Sequence, residues 1–165
     1  MKKTIALFVA LASFSCSKAQ KKEFSNETLA ENVVAMDGSE VSFQSVVDKY
    51  KGKTVVLEFW ASWCSDCVKA MPKIKELQRN NPEVVYVFFS CDKTFDKWKE
   101  GIEKHELKGD HYLVKDGMKG SFGKSIDLDW IPRYIVVNKK SKISLFRAIE
   151  TDFELIQKTL NEDKR

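Results

Sequence analysis

One stretch of the chain, residues 54–67, limits the possible folds more than any other part. It opens with T-V-V-L-E-F-W, a dense run of β-formers interrupted only by Glu58. Such a run is typical of a central strand that is buried on both faces of a sheet. The segment A-S-W-C-S-D-C follows at once, so Cys64 and Cys67 stand where a buried strand ends.

The spacing of apolar residues predicts helices and strands after this stretch. Residues 67–79 carry apolar side chains three positions apart, which predicts a helix with Pro72 as a kink inside it. Further elements are a strand at 84–89, a helix around 95–107, strands at 133–137 and 143–148, and a last helix that ends at Leu160. A capping box formed by Thr151 and Glu154 is expected to open that last helix.

Before the buried strand, residues 29–43 predict a β-hairpin that turns at Asp37-Gly38. Strand–helix–strand connections imply parallel strands, and the two closing strands imply an antiparallel pair. The predicted fold class is therefore α/β, with a mixed central sheet flanked by helices and an N-terminal β-hairpin extension. The length of 165 residues suits one such domain, here residues 29–165, and the polar segment 20–28 reads as a flexible tether.

The first 19 residues indicate export. A basic start, Met1-Lys2-Lys3, precedes an apolar stretch that is too short to span a bilayer easily. Small residues at 17 and 19 fit cleavage as a signal peptide, while Cys16 directly after the apolar stretch fits a bacterial lipoprotein leader. Both alternatives place the protein in the bacterial periplasm or cell envelope, either soluble or held at a membrane by a lipid on Cys16.

The charge and the cysteine content exclude several classes of protein. Three lysines and no acid lie in the leader, so most of the net charge of +4 belongs to that segment and gives no argument for nucleic-acid binding. Export permits disulfides, yet the chain beyond the leader has only Cys64, Cys67 and Cys91. This odd number, with two cysteines almost adjacent, does not fit the disulfide framework of a small secreted domain.

The position of the cysteine pair favours redox chemistry. Cys64 is predicted at the N-terminus of a helix, where free amide groups and the helix dipole stabilise a thiolate. Cys67 falls in the first turn and is more shielded, so Cys64 is the expected attacking thiol and Cys67 the resolving one. A zinc site needs about four ligands and no second tight pair is present, so we expect no metal. A structural staple stays an alternative, although so short a loop stabilises little.

The residues V-V-L-E-F-W-A-S-W-C-S-D-C resemble the active-site strand and helix of thioredoxin-like proteins. With the hairpin M-D-G-S-E-V-S-F and the leader, the chain is similar to the TlpA/ResA-type thiol-disulfide oxidoreductases of the bacterial envelope over roughly residues 30–160. The resemblance implies a cis peptide bond between Ile131 and Pro132, in a loop that faces the cysteines and pairs with a substrate strand. It also implies that Glu58 is the buried acid that exchanges a proton with Cys67.

Three residues around the cysteines are expected to adjust the site. Trp63 is expected to shield the disulfide and to offer an apolar contact to protein substrates. Ser65 and Asp66 replace the proline-containing pair that is frequent in the family, so the turn should be looser. A carboxylate at Asp66 disfavours a nearby thiolate, an effect of about 1 kcal/mol or on the order of 20–30 mV. Alternatively, Asp66 only interacts favourably with the helix dipole.

These observations predict an enzyme, a thiol-disulfide oxidoreductase that reduces protein disulfides through a dithiol–disulfide cycle. Its expected partners are a protein substrate and an upstream thiol electron donor. No nucleic acid is expected, no cofactor beyond the cysteine pair, and the protein is expected to be a monomer. A disulfide oxidase or isomerase that uses the same residues is the first alternative. A non-catalytic thioredoxin-fold binding module is the second.

Overall fold

Seven strands form a single mixed sheet in the computed structural model of the protein, which describes residues 20–164. The strands are β1 (Asn32–Ala35), β2 (Glu40–Ser42), β3 (Val55–Trp60), β4 (Val85–Ser90), β5 (Asp110–Leu113), β6 (Arg133–Val137) and β7 (Ile143–Ala148). Their order across the sheet is β2-β1-β5-β4-β3-β6-β7. Cys16 and the predicted leader lie outside the described residues.

The direction of the strands follows from their connections. Helices connect β3 to β4 and β4 to β5, and both pairs are parallel, as strand–helix–strand units require. The closing strands β6 and β7 are antiparallel, and β6 pairs antiparallel with β3. The β1–β2 hairpin adds to the far edge through an antiparallel contact with β5. The predicted mixed sheet with an N-terminal hairpin is thereby confirmed.

Helices cover both faces of the sheet. They are α1 (Asn26–Ala30), α2 (Phe43–Lys49), α3 (Ser65–Asn80), α4 (Phe95–His105), α5 (Ser121–Ser125) and α6 (Phe153–Asp163). On one face, Phe59 of β3 stacks on Phe89 of β4, and Phe89 lies near Phe122 of α5. On the other face, Trp60 lies close to Gly101 of α4. Every residue of β3 is buried, as its apolar run predicts.

The predicted capping box of the last helix is wrong. Helix α6 begins at Phe153, and its N-cap residue is Asp152, whose side chain makes no capping hydrogen bond. The Asp152 carboxylate instead accepts a hydrogen bond from the Ile149 N–H at 2.9 Å, so it stabilises the turn before the helix. Thr151 is exposed.

Residues 20–28 pack on the domain and do not form the expected flexible tether. The Ser25 hydroxyl accepts a hydrogen bond from the Thr28 N–H and caps α1. The ring of Phe24 meets Phe43 edge-on, with 4.9 Å between centroids, and the Ile143 N–H donates to the Lys22 carbonyl. The polar composition of this segment concealed these contacts, because one aromatic residue and a short helix are enough to dock it.

No helix within residues 20–164 is long and apolar enough to cross a membrane.

Candidate active site

The two cysteines lie where β3 ends and α3 begins. Cys64 is the N-cap residue of α3, and its Sγ accepts a hydrogen bond from the Cys67 N–H at 3.1 Å. The two sulfurs form a disulfide, with 5.3 Å between the Cα atoms. Cys64 keeps 7% of its surface exposed, whereas Cys67 is completely buried. This asymmetry means that an incoming sulfur can reach only Cys64.

The position of Cys64 supplies the electrostatics that a reactive thiol needs. As N-cap residue it faces the unpaired amide groups of the first turn of α3, a helix of 16 residues. In the reduced protein, the Cys67 N–H that now contacts Cys64 Sγ can donate to a Cys64 thiolate. The arrangement therefore favours ionisation of Cys64 over Cys67, which has no comparable access to the helix end.

The loop before β6 faces the disulfide. The peptide bond between Ile131 and Pro132 is cis, as the resemblance implied. Cys64 Sγ lies 3.5 Å from the Ile131 carbonyl oxygen, and both Ile131 and Pro132 are buried. The structure thus brings Cys64 next to a loop that is more than sixty positions away in the chain.

Glu58 is a buried carboxyl in the middle of β3, with 3% of its surface exposed. Burial raises the pKa of Glu58 to about 8, since a charged carboxylate loses its hydration in the core. The hydroxyl of Tyr134, the residue opposite Glu58 on β6, lies 3.5 Å from Glu58 Oε1 and partly offsets that rise. Glu58 Oε2 has no hydrogen-bond partner. A proton can therefore be held at or released from this group near neutral pH.

The sequence did not reveal Tyr134 as part of the site. Its pairing with Glu58 depends on the register between β3 and β6, strands separated by more than seventy residues. Tyr134 is completely buried, and its ring lies against Phe153 of α6 at 5.3 Å. In the sequence it is one aromatic residue in the strand R-Y-I-V-V, where a role in packing is the ordinary expectation.

A second unforeseen residue, Asp92, fixes the loop that carries the cysteines. Its buried carboxylate accepts hydrogen bonds from the Ser62 N–H at 3.0 Å and the Ser62 hydroxyl at 2.7 Å. The Ser90 hydroxyl donates to the same carboxylate at 2.7 Å. Asp92 therefore ties the end of β4 to the segment between Trp60 and Cys64.

A groove of about 200 Å³ opens above the disulfide. We call it the two-tryptophan groove, lined by Trp63, Cys64, Ser65, Asp66, Met118, Trp130 and Ile131. Trp63 is 58% exposed, which leaves its indole free to contact a substrate, and Trp130 on the facing loop is 57% exposed. Sequence reasoning did not single out Trp130, because only the fold places residue 130 beside residue 63.

Comparison with known proteins agrees with this geometry. Residues 52–143 match a family model described as thioredoxin-like. The chain belongs to the thioredoxin-like family. ResA of Bacillus cereus, named a thiol-disulfide oxidoreductase, is 27% identical over 129 residues, which is 77% of this chain and 70% of ResA.

Solved structures show the same fold. A thiol-disulfide oxidoreductase from Bacteroides fragilis aligns with a TM-score of 0.67 at 22% identity, over 80% of this chain and 95% of that one. The thioredoxin domain of a thiol-disulfide oxidoreductase from Bacteroides vulgatus aligns with a TM-score of 0.66 at 22% identity, over 86% and 98%. The ResA relatives and the cysteine pair in disulfide geometry together confirm the predicted class, a thiol-disulfide oxidoreductase.

The residues between the cysteines of this thioredoxin-like protein are accessible to solvent. Ser65 is exposed, and Asp66 lies in the first turn of α3. The Asp66 carboxylate pairs with the Lys69 ammonium at 3.4 Å. Both side chains are well exposed, so this pair contributes little to stability, and it reduces the charge that Asp66 presents to the sulfurs.

Cys91 lies outside this chemistry. It is buried at the end of β4, and burial raises the pKa of its thiol to about 12, with a further contribution from the neighbouring Asp92 carboxylate. No group of three potential metal ligands occurs among residues 20–164.

Proposed function

We propose that this protein reduces disulfide bonds of other proteins in the bacterial cell envelope, through a dithiol–disulfide cycle of Cys64 and Cys67. One observation carries the proposal: the pair combines a reachable sulfur at a helix N-terminus with a completely buried partner. That asymmetry is the requirement for one cysteine to attack and the other to resolve.

The proposed cycle consists of two thiol–disulfide exchange steps. The Cys64 thiolate attacks one sulfur of the substrate disulfide, forms a mixed disulfide and releases the first substrate sulfur as a thiolate, which takes a proton from water. Cys67 then loses its proton to the Glu58 carboxylate and attacks Cys64 Sγ, which releases the second substrate sulfur as a thiolate. The Glu58 carboxyl returns its proton to that thiolate or to water. Two electrons pass to the substrate, and the protein is left with the Cys64–Cys67 disulfide. An upstream thiol donor reduces that disulfide by the reverse exchange.

The loop at Ile131 and Pro132 is the proposed docking edge for the substrate backbone. The Ile131 carbonyl oxygen lies 3.5 Å from Cys64 Sγ, so a chain that pairs with this loop is led past the reacting sulfur. Trp63, at the rim of the same groove, supplies apolar contact area to the bound segment. The geometry suits an extended protein segment.

The Asp66 carboxylate supports the reducing direction. It lies in the first turn of α3, where its negative charge disfavours a thiolate on the reduced cysteines. A less stable reduced form has a lower potential and gives up its electrons more readily. Ser65 stands in the pair of residues where a proline is frequent in the family, so the turn between the cysteines is less rigid.

The location is proposed from the leader. An apolar stretch after Met1-Lys2-Lys3 directs export, and Cys16 offers a site for a lipid anchor if the leader is of the lipoprotein type. An exported protein meets the disulfide-containing proteins on which this chemistry acts.

The activity is tested by insulin reduction with dithiothreitol as the electron donor. The wild-type protein should accelerate precipitation of the reduced insulin chains, and Cys64→Ser should abolish that acceleration. Cys91→Ser serves as the matched control, because its thiol is buried and lies outside the pair. If wild type accelerates precipitation no more than Cys64→Ser does, the protein is a binding module and not a reductase.

The direction of electron flow is tested by the reduction potential of the Cys64–Cys67 pair in glutathione buffers. A reductant requires a potential near that of thioredoxin, about −270 mV. A value near −120 mV, typical of a strong oxidant, would favour the oxidase alternative.

A further inference from the structure

Exposed tryptophans are concentrated at one place on this protein. Within residues 20–164, the large apolar side chains with substantial exposure are Met36, Trp63, Trp130 and Leu155. The two tryptophans among them both line the two-tryptophan groove, whereas Trp60 and Trp98 are completely buried. An indole that stays more than half exposed gains only part of the burial that folding could give it, and a pair of them at one groove indicates a surface that recognises a partner.

The floor of this groove decides which partner fits. Cys64 Sγ lies at the groove, so a productive occupant must bring a sulfur to that position. The walls beside the sulfur are two indoles, the thioether of Met118 and the side chain of Ile131, and this surface is mainly apolar. Ser65 and Asp66 form the polar part of the lining, on the helix side of the groove. Against the two indoles a polar side chain would lose water without gaining hydrogen bonds, whereas an apolar side chain gains from burial.

The loop that presents Trp130 is held in place before a partner arrives. The Asp129 carboxylate pairs with Arg133 Nη2 at 2.8 Å and with Arg147 Nη2 at 2.6 Å. These two guanidinium groups hold the pKa of Asp129 well below its usual range. On the other side of Trp130, Ile131 is buried. Because both neighbours are fixed, the backbone at Trp130 is already ordered and loses little conformational entropy when a ligand binds.

We propose that Trp130, together with Trp63, selects protein disulfides in which a bulky apolar side chain lies next to the reacting cysteine. This side chain rests against the indoles while the substrate sulfur bonds to Cys64. The inference rests on the proposed function and names its substrate class. The exchange is unchanged: the substrate disulfide takes two electrons, and the Cys64–Cys67 disulfide forms.

The test compares two disulfide-linked peptide dimers on the reduced protein. Each peptide has one cysteine, flanked by leucine in one peptide and by serine in the other. The rate with 2-hydroxyethyl disulfide, which has no side chain to recognise, corrects each variant for the reactivity of its thiol. Wild-type protein should prefer the leucine peptide by about tenfold, the effect of burying most of one such side chain.

The variants separate recognition from general damage. Trp130→Ala should lower the preference to about twofold or less, and Trp130→Phe should restore most of it. Leu155→Ala, a matched change of an exposed apolar residue outside the groove, should keep the wild-type preference.

Three results would overturn the inference. The first is that wild type reacts with both peptides at equal rates, and the second is that the preference for the leucine peptide survives Trp130→Ala. The third is that wild type sediments as a dimer that Trp130→Ala dissociates. The last would make a second copy of the chain the occupant of the groove. Failure of the proposed function is distinct, because wild type would then leave all three disulfides intact.

Discussion

At the scale of single residues, the buried carboxyl of Glu58 links proton uptake to folding, and in the proposed cycle it also accepts the proton of Cys67. Its pKa of about 8 in the folded protein lies well above the ordinary value of 4.5. Glu58 Oε2 has no partner, and the hydroxyl of Tyr134 is the single polar contact to Oε1 within the described residues. A carboxyl in such surroundings is protonated when the site is at rest and can accept or release a proton during exchange.

The folding stability should record this shift directly. Between pH 4.5 and about 8, the unfolded chain ionises Glu58 while the folded protein keeps it protonated, so rising pH disfavours the folded state. Relative to Glu58→Gln, the wild-type free energy of unfolding should fall by about 1.4 kcal/mol per pH unit within that window. Urea titrations of both proteins from pH 4 to 9 measure the difference. A constant difference across this range would contradict a raised pKa, and Glu76→Gln, an exposed change on α3, is the control.

The rate of exchange should depend on the same group. In the proposed cycle an ionised Glu58 accepts the proton of Cys67, so the rate at which the mixed disulfide is resolved should rise with pH and level off above about 8. Glu58→Gln should remove this inflection and slow the step by about 100-fold. Tyr134→Phe removes the hydrogen bond that lowers the pKa and should move the inflection to higher pH. Identical pH profiles for the three proteins, measured by rapid quenching, would exclude Glu58 as the proton acceptor.

At the scale of elements, the end of β4 positions the loop that leads into α3. The Asp92 carboxylate takes three donors, two of them from Ser62, and is itself buried. Buried donors that lose their acceptor cost about 1–3 kcal/mol each. Thus the short link between β3 and Cys64 keeps one conformation because a neighbouring strand holds it.

We therefore expect Asp92→Ala to lower the free energy of unfolding by about 2–4 kcal/mol, as measured by urea denaturation. Glu76→Ala is the matched control, because Glu76 is exposed on α3. A loss no larger than that of Glu76→Ala would show that Asp92 does not brace the loop.

At the scale of the whole molecule, the segment 20–28 belongs to the folded unit. Phe24 packs edge-on against the completely buried Phe43, and Lys22 accepts a hydrogen bond from Ile143 in β7. Phe24→Ala should therefore reduce the free energy of unfolding by about 1–2 kcal/mol. Thermal unfolding compares it with Met36→Ala, an exposed apolar position. If the segment were a free tether, Phe24→Ala would leave the free energy of unfolding unchanged.

Much of this architecture could be predicted because it depends on local pattern. The continuous apolar run before Cys64 indicates a strand buried on both faces, and the apolar spacing after Cys67 indicates a helix. These two elements alone place the cysteine pair. The same apolar run predicts the buried position of Glu58, whereas the cis bond at Ile131–Pro132 is predicted by the resemblance to thioredoxin-like proteins.

The other site residues depend on contacts that no local pattern shows. Tyr134 reaches Glu58 only through the β3–β6 register, and Asp92 reaches Ser62 only because β3 and β4 are neighbours. Trp130 lies beside Trp63 only because the loop before β6 faces the start of α3. The capping box predicted at Thr151 is wrong for a similar reason. The N-cap residue is Asp152, and its carboxylate binds the Ile149 N–H in the preceding turn.

Trapping of a mixed disulfide tests the proposed roles of the two cysteines, Cys64 as the attacking thiol and Cys67 as the resolving one. Cys67→Ser and Cys64→Ser are each incubated with an excess of a peptide disulfide dimer, and their intact masses are recorded over time. Cys67→Ser should gain one peptide rapidly, as a stable mixed disulfide on Cys64. Cys64→Ser should remain unmodified for much longer, because Cys67 is completely buried. Equal rates of modification, or faster trapping on Cys67, would contradict the assignment.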